Sequence, residues 1–255
     1  EPARLPLYEH IVDESVMEAV LGERFAALAG GDRRDRREYL RQYVRFFLEM
    51  GYDTVSFERL ISSVLPGGGA LYAHAPPAIG TRQDLEAYPW EEIPERFFAA
   101  HGEDYRLLGE LLPPGMKAIG GPGNGVFECV QDLAGFENLC FLAADDPPTY
   151  AELFRRVGQA IRRIWERFLS ELGQVYAVCR MGDDLGFRSA TLLPPADIRR
   201  LIVPEYRALV QRVHAAGKPF LLHSCGNIFA VMEDLIDTAG IDAKHSNEDA
   251  IAPFS

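Results

Sequence analysis

The feature that most constrains this chain is a pattern that recurs along it: a helical stretch, a glycine, a short β-type run and a polar residue where the run ends. Gly51 precedes residues 53–57, closed by Glu58; Gly115 precedes 116–119; Gly173 precedes 175–179; Gly217 precedes 220–222; and Gly240 precedes 241–243. Helical spacing fills the intervals. Residues 94–112 stop at Pro113-Pro114-Gly115, residues 148–172 carry Leu153, Val157, Ile161, Ile164 and Phe168, and residues 195–216 carry Ile198, Leu201, Leu209 and Val213. Strands alternating with helices predict an α/β fold with a parallel sheet and right-handed crossovers. With 255 residues, one domain over the whole chain is expected, because βα barrels reach this length as single domains.

Upstream of the repeat, Asp13 stands as an N-cap before Val16, Val20, Leu21, Phe25 and Leu28, and a second helix over 36–50 sets Leu40, Tyr43, Phe46 and Phe47 on one face. Gly51 ends that helix, where a left-handed residue is easily accommodated. Residues 7–12 read as a short strand that places Glu9 and His10 near its end; a lone histidine in such a run carries little functional weight. Residues 65–90, with Pro66-Gly67-Gly68-Gly69 and Pro76-Pro77, form a long irregular connection, expected to be a lid, a binding loop or the cover of a short strand. The final residues, 249–255, look like the start of another helix. About five strands are legible, six with the N-terminal run, whereas a (β/α)8 barrel needs eight. The residues leave barrel and doubly wound sheet open, and a barrel would lack its last two or three βα units.

Charge and composition exclude some partners. With 26 basic against 38 acidic residues the net charge is −12, and the lysines and arginines are scattered among acids. Nucleic acid and anionic membrane are not expected as partners. No apolar run approaches the roughly 18 to 20 residues that span a bilayer, and the N-terminus carries no basic-then-apolar leader, so a cytoplasmic protein is expected. Cys129, Cys140, Cys179 and Cys225 have no short paired spacing, so they read as core residues or ligands in a reducing compartment.

In parallel α/β folds ligands bind at the carboxyl ends of the strands, so the residues closing each run are candidate site residues. They are Glu58; Gly121, Gly123 and Asn124 of the loop 120–125; Arg180, Asp183 and Asp184; His223 and Cys225; and Lys244 with His245. His223 and Cys225 have the i, i+2 spacing that lets two side chains at a strand-to-loop break converge on one ion. A buried histidine beside a small apolar cysteine is the competing structural reading. A third ligand would come from Cys179, Asp183, Asp184, Glu58 or His245. Asp183 and Asp184 are adjacent, so at least one should face the strand ends. The glycine-rich loop leads into a helix over 126–134, whose free N–H groups suit a phosphate or carboxylate. It carries neither a dinucleotide fingerprint nor a Walker lysine.

The runs Asp183-Asp184-Leu185-Gly186-Phe187, Leu193-Pro194-Pro195, Val203-Pro204-Glu205-Tyr206, Val213-His214-Ala215-Ala216-Gly217-Lys218-Pro219 and His223-Ser224-Cys225-Gly226-Asn227 together resemble the uroporphyrinogen decarboxylase superfamily. That superfamily contains porphyrinogen decarboxylases and cobamide-dependent methyltransferases. The resemblance covers about residues 175–253 and implies a (β/α)8 TIM barrel with its site at the C-terminal face. The decarboxylase branch carries an N-terminal arginine-rich motif and an aspartate after an early strand; here residues 5–10 lack the motif and Glu58 stands at the strand. The methyltransferase branch holds zinc with H-x-C and a later cysteine, and His223 and Cys225 match the first two ligands; the third would lie past Ser255.

The resemblance thus implies zinc-assisted methyl transfer from a corrinoid, carried by a partner protein, to a thiol or similar acceptor. His223 and Cys225 would be metal ligands; Glu58, Asp183, Asp184 and His245 catalytic; and Gly121, Gly123, Asn124, Arg180 and Asn227 substrate-binding. Decarboxylation of uroporphyrinogen or a related tetrapyrrole is the alternative, and a non-catalytic corrinoid- or tetrapyrrole-binding module the second. A homodimer is an expectation from the resemblance alone.

Overall fold

The computed structural model describes residues 5–72, 74–248 and 250–251. Five strands, β1 Thr54–Leu60, β2 Lys117–Gly123, β3 Tyr176–Gly182, β4 Phe220–His223 and β5 Ala243–His245, form one sheet in the order β1-β2-β3-β4-β5. Every neighbouring pair is parallel. Consecutive parallel strands in spatial order, with helices between them, are the arrangement of successive strands in a (β/α)8 barrel.

The helices follow the expected alternation. They are α1 Glu14–Leu21, α2 Arg33–Glu49, α3 Arg82–Ala87, α4 Ile93–Leu111, α5 Val126–Ala134, α6 Phe136–Asp145, α7 Pro147–Leu172, α8 Pro195–Asp197 and α9 Val203–Ala215. Asp13 caps α1 by accepting from the Ser15 N–H at 2.8 Å. In α7, Pro147 and Pro148 occupy the first turn, where missing N–H groups cost nothing, and Asp146 accepts from the Thr149 N–H. Its apolar stripe, including Leu153, Val157, Ile161, Ile164 and Phe168, is buried. Helices α8 and α9 are joined through a wide π-helical turn at Ile198–Ile202, so the single helix expected over 195–216 is interrupted.

An aromatic layer couples the helices to the sheet. Tyr105 of α4 donates to the Gly121 carbonyl at 2.9 Å and meets Phe57, Phe168 and Tyr176 edge-on. Tyr176 donates to the Phe57 carbonyl at 3.2 Å. Removing each of these rings from water contributes about 2 to 3 kcal/mol, and each hydroxyl keeps an acceptor. The layer fixes the heights of β1, β2 and β3 relative to one another.

Three expectations are corrected. Residues 7–12 form no strand; they run as an irregular segment beside the first half of β1, held where Leu7 N–H donates to Asp53 Oδ2 and the Ser56 hydroxyl to the Glu9 carbonyl. The connection over 65–90 contains helix α3, entered through a capping box between Thr81 and Asp84. Helix α6 was hidden because Phe136 and Phe141 are exposed while Leu139 and Leu142 are buried, so apolar residues on both faces blur the helical period. The expected helix at 249–255 lies largely outside the described residues. No helix among the described residues is long and apolar enough to cross a membrane.

Candidate active site

Strand register brings the polar residues together. In β1 alternation turns Glu58 to one face and Phe57 and Arg59 to the other. Glu58 meets Arg180 of β3, whose Nη2 and Nε donate to Glu58 Oε2 at 2.7 and 3.2 Å. Arg180 Nη1 donates to the Tyr8 hydroxyl at 2.8 Å and the His10 carbonyl at 3.1 Å. Arg180 is 1% exposed; its Nη1 holds the N-terminal segment, while Nη2 and Nε are given to Glu58 of the sheet. A buried guanidinium so satisfied is a brace, and its charge is compensated in place.

That brace delivers His10 to the ends of β4 and β5. His223 and His245 are direct partners in the β4–β5 register, and their Nδ1 atoms approach to 2.8 Å, one as donor and one as acceptor. The His10 ring stacks on His223 with centroids 4.1 Å apart. Burial and the nearby Arg180 hold His10 down to about 3, and burial also lowers His223 and His245. All three imidazoles are neutral at pH 7 and carry lone pairs, the form in which histidine binds metal.

The loop after β4 places Cys225 beside them. Its Sγ lies 3.4 Å from His223 Nε2, which is 3.7 Å from Asp184 Oδ1. Asp184 is fixed in turn by accepting from the Cys225 N–H at 2.8 Å. The loops after β3 and β4 cross at Gly186 and Gly226, where an added Cβ would lie 2.7 Å from the Cys225 carbonyl oxygen and 2.3 Å from the Gly186 carbonyl carbon, respectively. Only glycine permits this approach, which sets Asp184 against Cys225. Burial, followed by Asp184, pushes the Cys225 thiol up to about 11.

Two overlapping donor sets result. Asp184, His223 and Cys225 form one and His10, His223 and His245 the other, each with ligand atoms within 4.8 Å of one another. A tetrahedral ion with ligand bonds of about 2.0 to 2.3 Å separates its donors by roughly 3.3 to 3.8 Å. The 3.4 Å Cys225–His223 spacing meets that requirement, the 3.7 Å His223–Asp184 spacing is a few tenths of an ångström longer than a nitrogen–oxygen pair needs, and the mixture of S, N and O donors suits zinc.

Residues 71–252, more than half of the chain, match the family model described as uroporphyrinogen decarboxylase (URO-D). The chain belongs to the uroporphyrinogen decarboxylase family. A methyltransferase from Methanosarcina mazei shares the fold with a TM-score of 0.66 at 14% identity. The match covers 90% of this chain, which spans 66% of that one. No curated protein matches the sequence.

Within this family member, the residues anticipated from sequence fall into two groups. Glu58, Arg180, Asp184, His223, Cys225 and His245 gather at the strand ends. Gly123 lies beside Glu58, 3.4 Å separating the site of an added Cβ from the carboxyl carbon. The others act from behind. Gly121, at φ 136°, leaves room for Trp165, whose ring would stand 2.6 Å from a Cβ. Asn124, 4% exposed, accepts from the Ser62 N–H and hydroxyl and donates to Glu128 at 2.8 Å. Asn227 caps the turn at Phe229 by accepting its N–H at 3.2 Å.

Asp183 turns away from the mouth. It is fully buried, accepts from the N–H groups of Phe127 and Glu128 at 2.9 and 2.8 Å, and takes a short hydrogen bond from the Tyr206 hydroxyl. The N-terminus of α5, expected to await an anionic ligand, is thus filled by the chain's own carboxylate. Of the adjacent acids, Asp184 faces the cluster and Asp183 anchors the helix behind it.

Sequence reading gave His10 little weight and missed Tyr8 and Glu128. Glu128, in the first turn of α5, is pushed up to about 7 by burial and then by Asp183. Its only signal was its place just after the glycine-rich run. A carboxyl with a raised folded pKa keeps its proton between its ordinary value near 4.5 and about 7, while the unfolded chain loses it. Its contribution to stability is therefore present at low pH and lost as pH rises through 7. Glu128→Gln is expected to gain up to about 3 kcal/mol over wild type on going from pH 4 to pH 8. Urea titrations at the two pH values check this; a pH-independent difference would place the Glu128 carboxyl in water.

Proposed function

We propose that the protein transfers a methyl group from a corrinoid, presented by a partner protein, to a thiol, using zinc held by His223, Cys225 and Asp184. The observation that carries this reading is the Cys225–His223–Asp184 cluster at the strand ends, where sulfur, nitrogen and oxygen donors stand close to the separations of a tetrahedral zinc site. Family membership and the fold shared with a methyltransferase support it.

Zinc bound there would lower the acceptor thiol's pKa so that it reacts as the thiolate. The chain's own residues do the rest. His245 accepts from or donates to His223 Nδ1, fixing which ring nitrogen is left to the metal. His10 covers the His223 face and limits water on that side. The Glu58–Arg180 pair holds the N-terminal segment that carries His10, and Asp183 holds α5, from which Glu128 reaches the mouth. A methyl group given up by the corrinoid would become bonded to the acceptor sulfur, with the electron pair of the broken bond left on the donor. The thiol proton goes to solvent.

Decarboxylation of uroporphyrinogen is less well served. Arg180 is neutralised by Glu58, and the part-exposed Asp184 carboxylate stands at the same mouth, where substrate carboxylates would be repelled. The decisive assay is anaerobic: zinc-loaded protein, methylcobalamin and 2-mercaptoethanol, with demethylation followed by absorbance and the thioether by mass spectrometry. Turnover that falls at least about 100-fold in Cys225→Ala is expected. Absence of thioether, together with carboxyl loss from uroporphyrinogen, would reverse the assignment.

A further inference from the structure

On the face of β1 opposite Glu58 lies a separate cavity of about 490 Å³, walled by Gly30, Gly31, Arg36 of α2, Arg59 of β1, and His101 and Asp104 of α4. Its charge is unbalanced. Asp104, 5% exposed, accepts from Arg36 Nη1 at 3.1 Å through one oxygen and from Arg59 Nε at 3.0 Å through the other. One carboxylate therefore serves two guanidiniums.

The neighbouring acids are committed elsewhere. Asp35 closes the capping box of α2, and Glu103 pairs with Arg33 and Arg106. His101, held down to about 4 by burial and then by Arg59, is neutral, with Nε2 2.9 Å from the Ser63 hydroxyl.

Donors are left over. Arg36 commits only Nη1 to Asp104 and Arg59 only Nε, and no other hydrogen bond to either terminal nitrogen of Arg59 occurs among the described residues. Guanidinium donors that line a cavity without a protein acceptor are available to a ligand's oxygens. Guanidiniums offered from two elements suit an oxoanion that can accept on several oxygens at once, as phosphate does. Gly30 and Gly31 leave the rim without side chains, and the volume exceeds that of a bare ion.

We propose that this cavity binds phosphate or a small phosphomonoester, with the oxoanion between Arg36 and Arg59. The site is independent of the zinc cluster and of the methyl-transfer reading.

Calorimetric titration of the full chain with inorganic phosphate, and in parallel with glycerol 3-phosphate, at low ionic strength tests it. One saturable site is expected, weakened at least tenfold in Arg36→Gln, tightened in Asp104→Asn, and unchanged in His223→Ala. Arg36 is partly exposed, so its variant keeps the fold, which a thermal melt verifies, and decides the matter even where Asp104→Asn does not fold. The proposal is overturned if neither probe binds saturably, if Arg36→Gln binds like wild type, or if His223→Ala abolishes binding and so moves the anion to the metal cluster.

Discussion

Arg180→Met is expected to cost about 3 to 5 kcal/mol of stability at neutral pH, because it leaves the Glu58 carboxylate without its partner inside the barrel. The guanidinium is 1% exposed and makes four hydrogen bonds, two to Glu58 and one each to Tyr8 and the His10 carbonyl. The loss should be mostly charge and not volume. Arg180→Met/Glu58→Gln should therefore recover a good part of it, giving a coupling energy well above the 0.5 kcal/mol seen for independent sites. Urea denaturation of the wild type, both single variants and the double variant completes the cycle. Additive losses would mean that the pair is solvated and that the N-terminal segment is held by other contacts.

The second large effect concerns the metal. His223→Ala and Cys225→Ala each remove a donor from the Cys225–His223–Asp184 set and should lower zinc affinity by at least about 100-fold. Asp184→Asn should weaken it less, because an amide oxygen remains at the same place. His10→Ala removes only the stacked ring if zinc uses the Asp184 set, whereas it removes a ligand if zinc uses the three-histidine set. The order of the four affinities thus identifies which set is used.

The alternation of helix and strand was legible because each strand is short, apolar and preceded by glycine, and the polar residue closing it marks the mouth. Gly51 and Gly240 take the left-handed conformation expected of residues that end helices, at φ 77° and 82°. The strands run farther than their apolar cores suggested: β1 continues through Glu58 to Leu60 and β3 through Arg180 to Gly182. Glu58 and Arg180 therefore sit within strands, where their mutual pairing replaces apolar contact. Periodicity cannot register such a pair.

The site was legible in its centre and not at its edges. His223 and Cys225 stand out by spacing, and His245 follows from being the register partner of His223. His10 reaches the same place through contacts between residues 170 positions apart, which local pattern does not encode. Asp183 and Asp184 are indistinguishable as letters; the direction of the backbone after β3 gives one to α5 and the other to the cluster. The raised Glu128 carboxyl depends on burial beside Asp183, which is likewise a property of the assembled fold.

The most direct test of the account is the metal content of protein purified without added metal under reducing conditions, beside His223→Ala and Cys225→Ala. About one zinc per chain in the wild type, lost in both variants, is the predicted result. Wild-type protein that folds and takes up no zinc would contradict it, and would leave His223 and Cys225 as packing or substrate-contact residues.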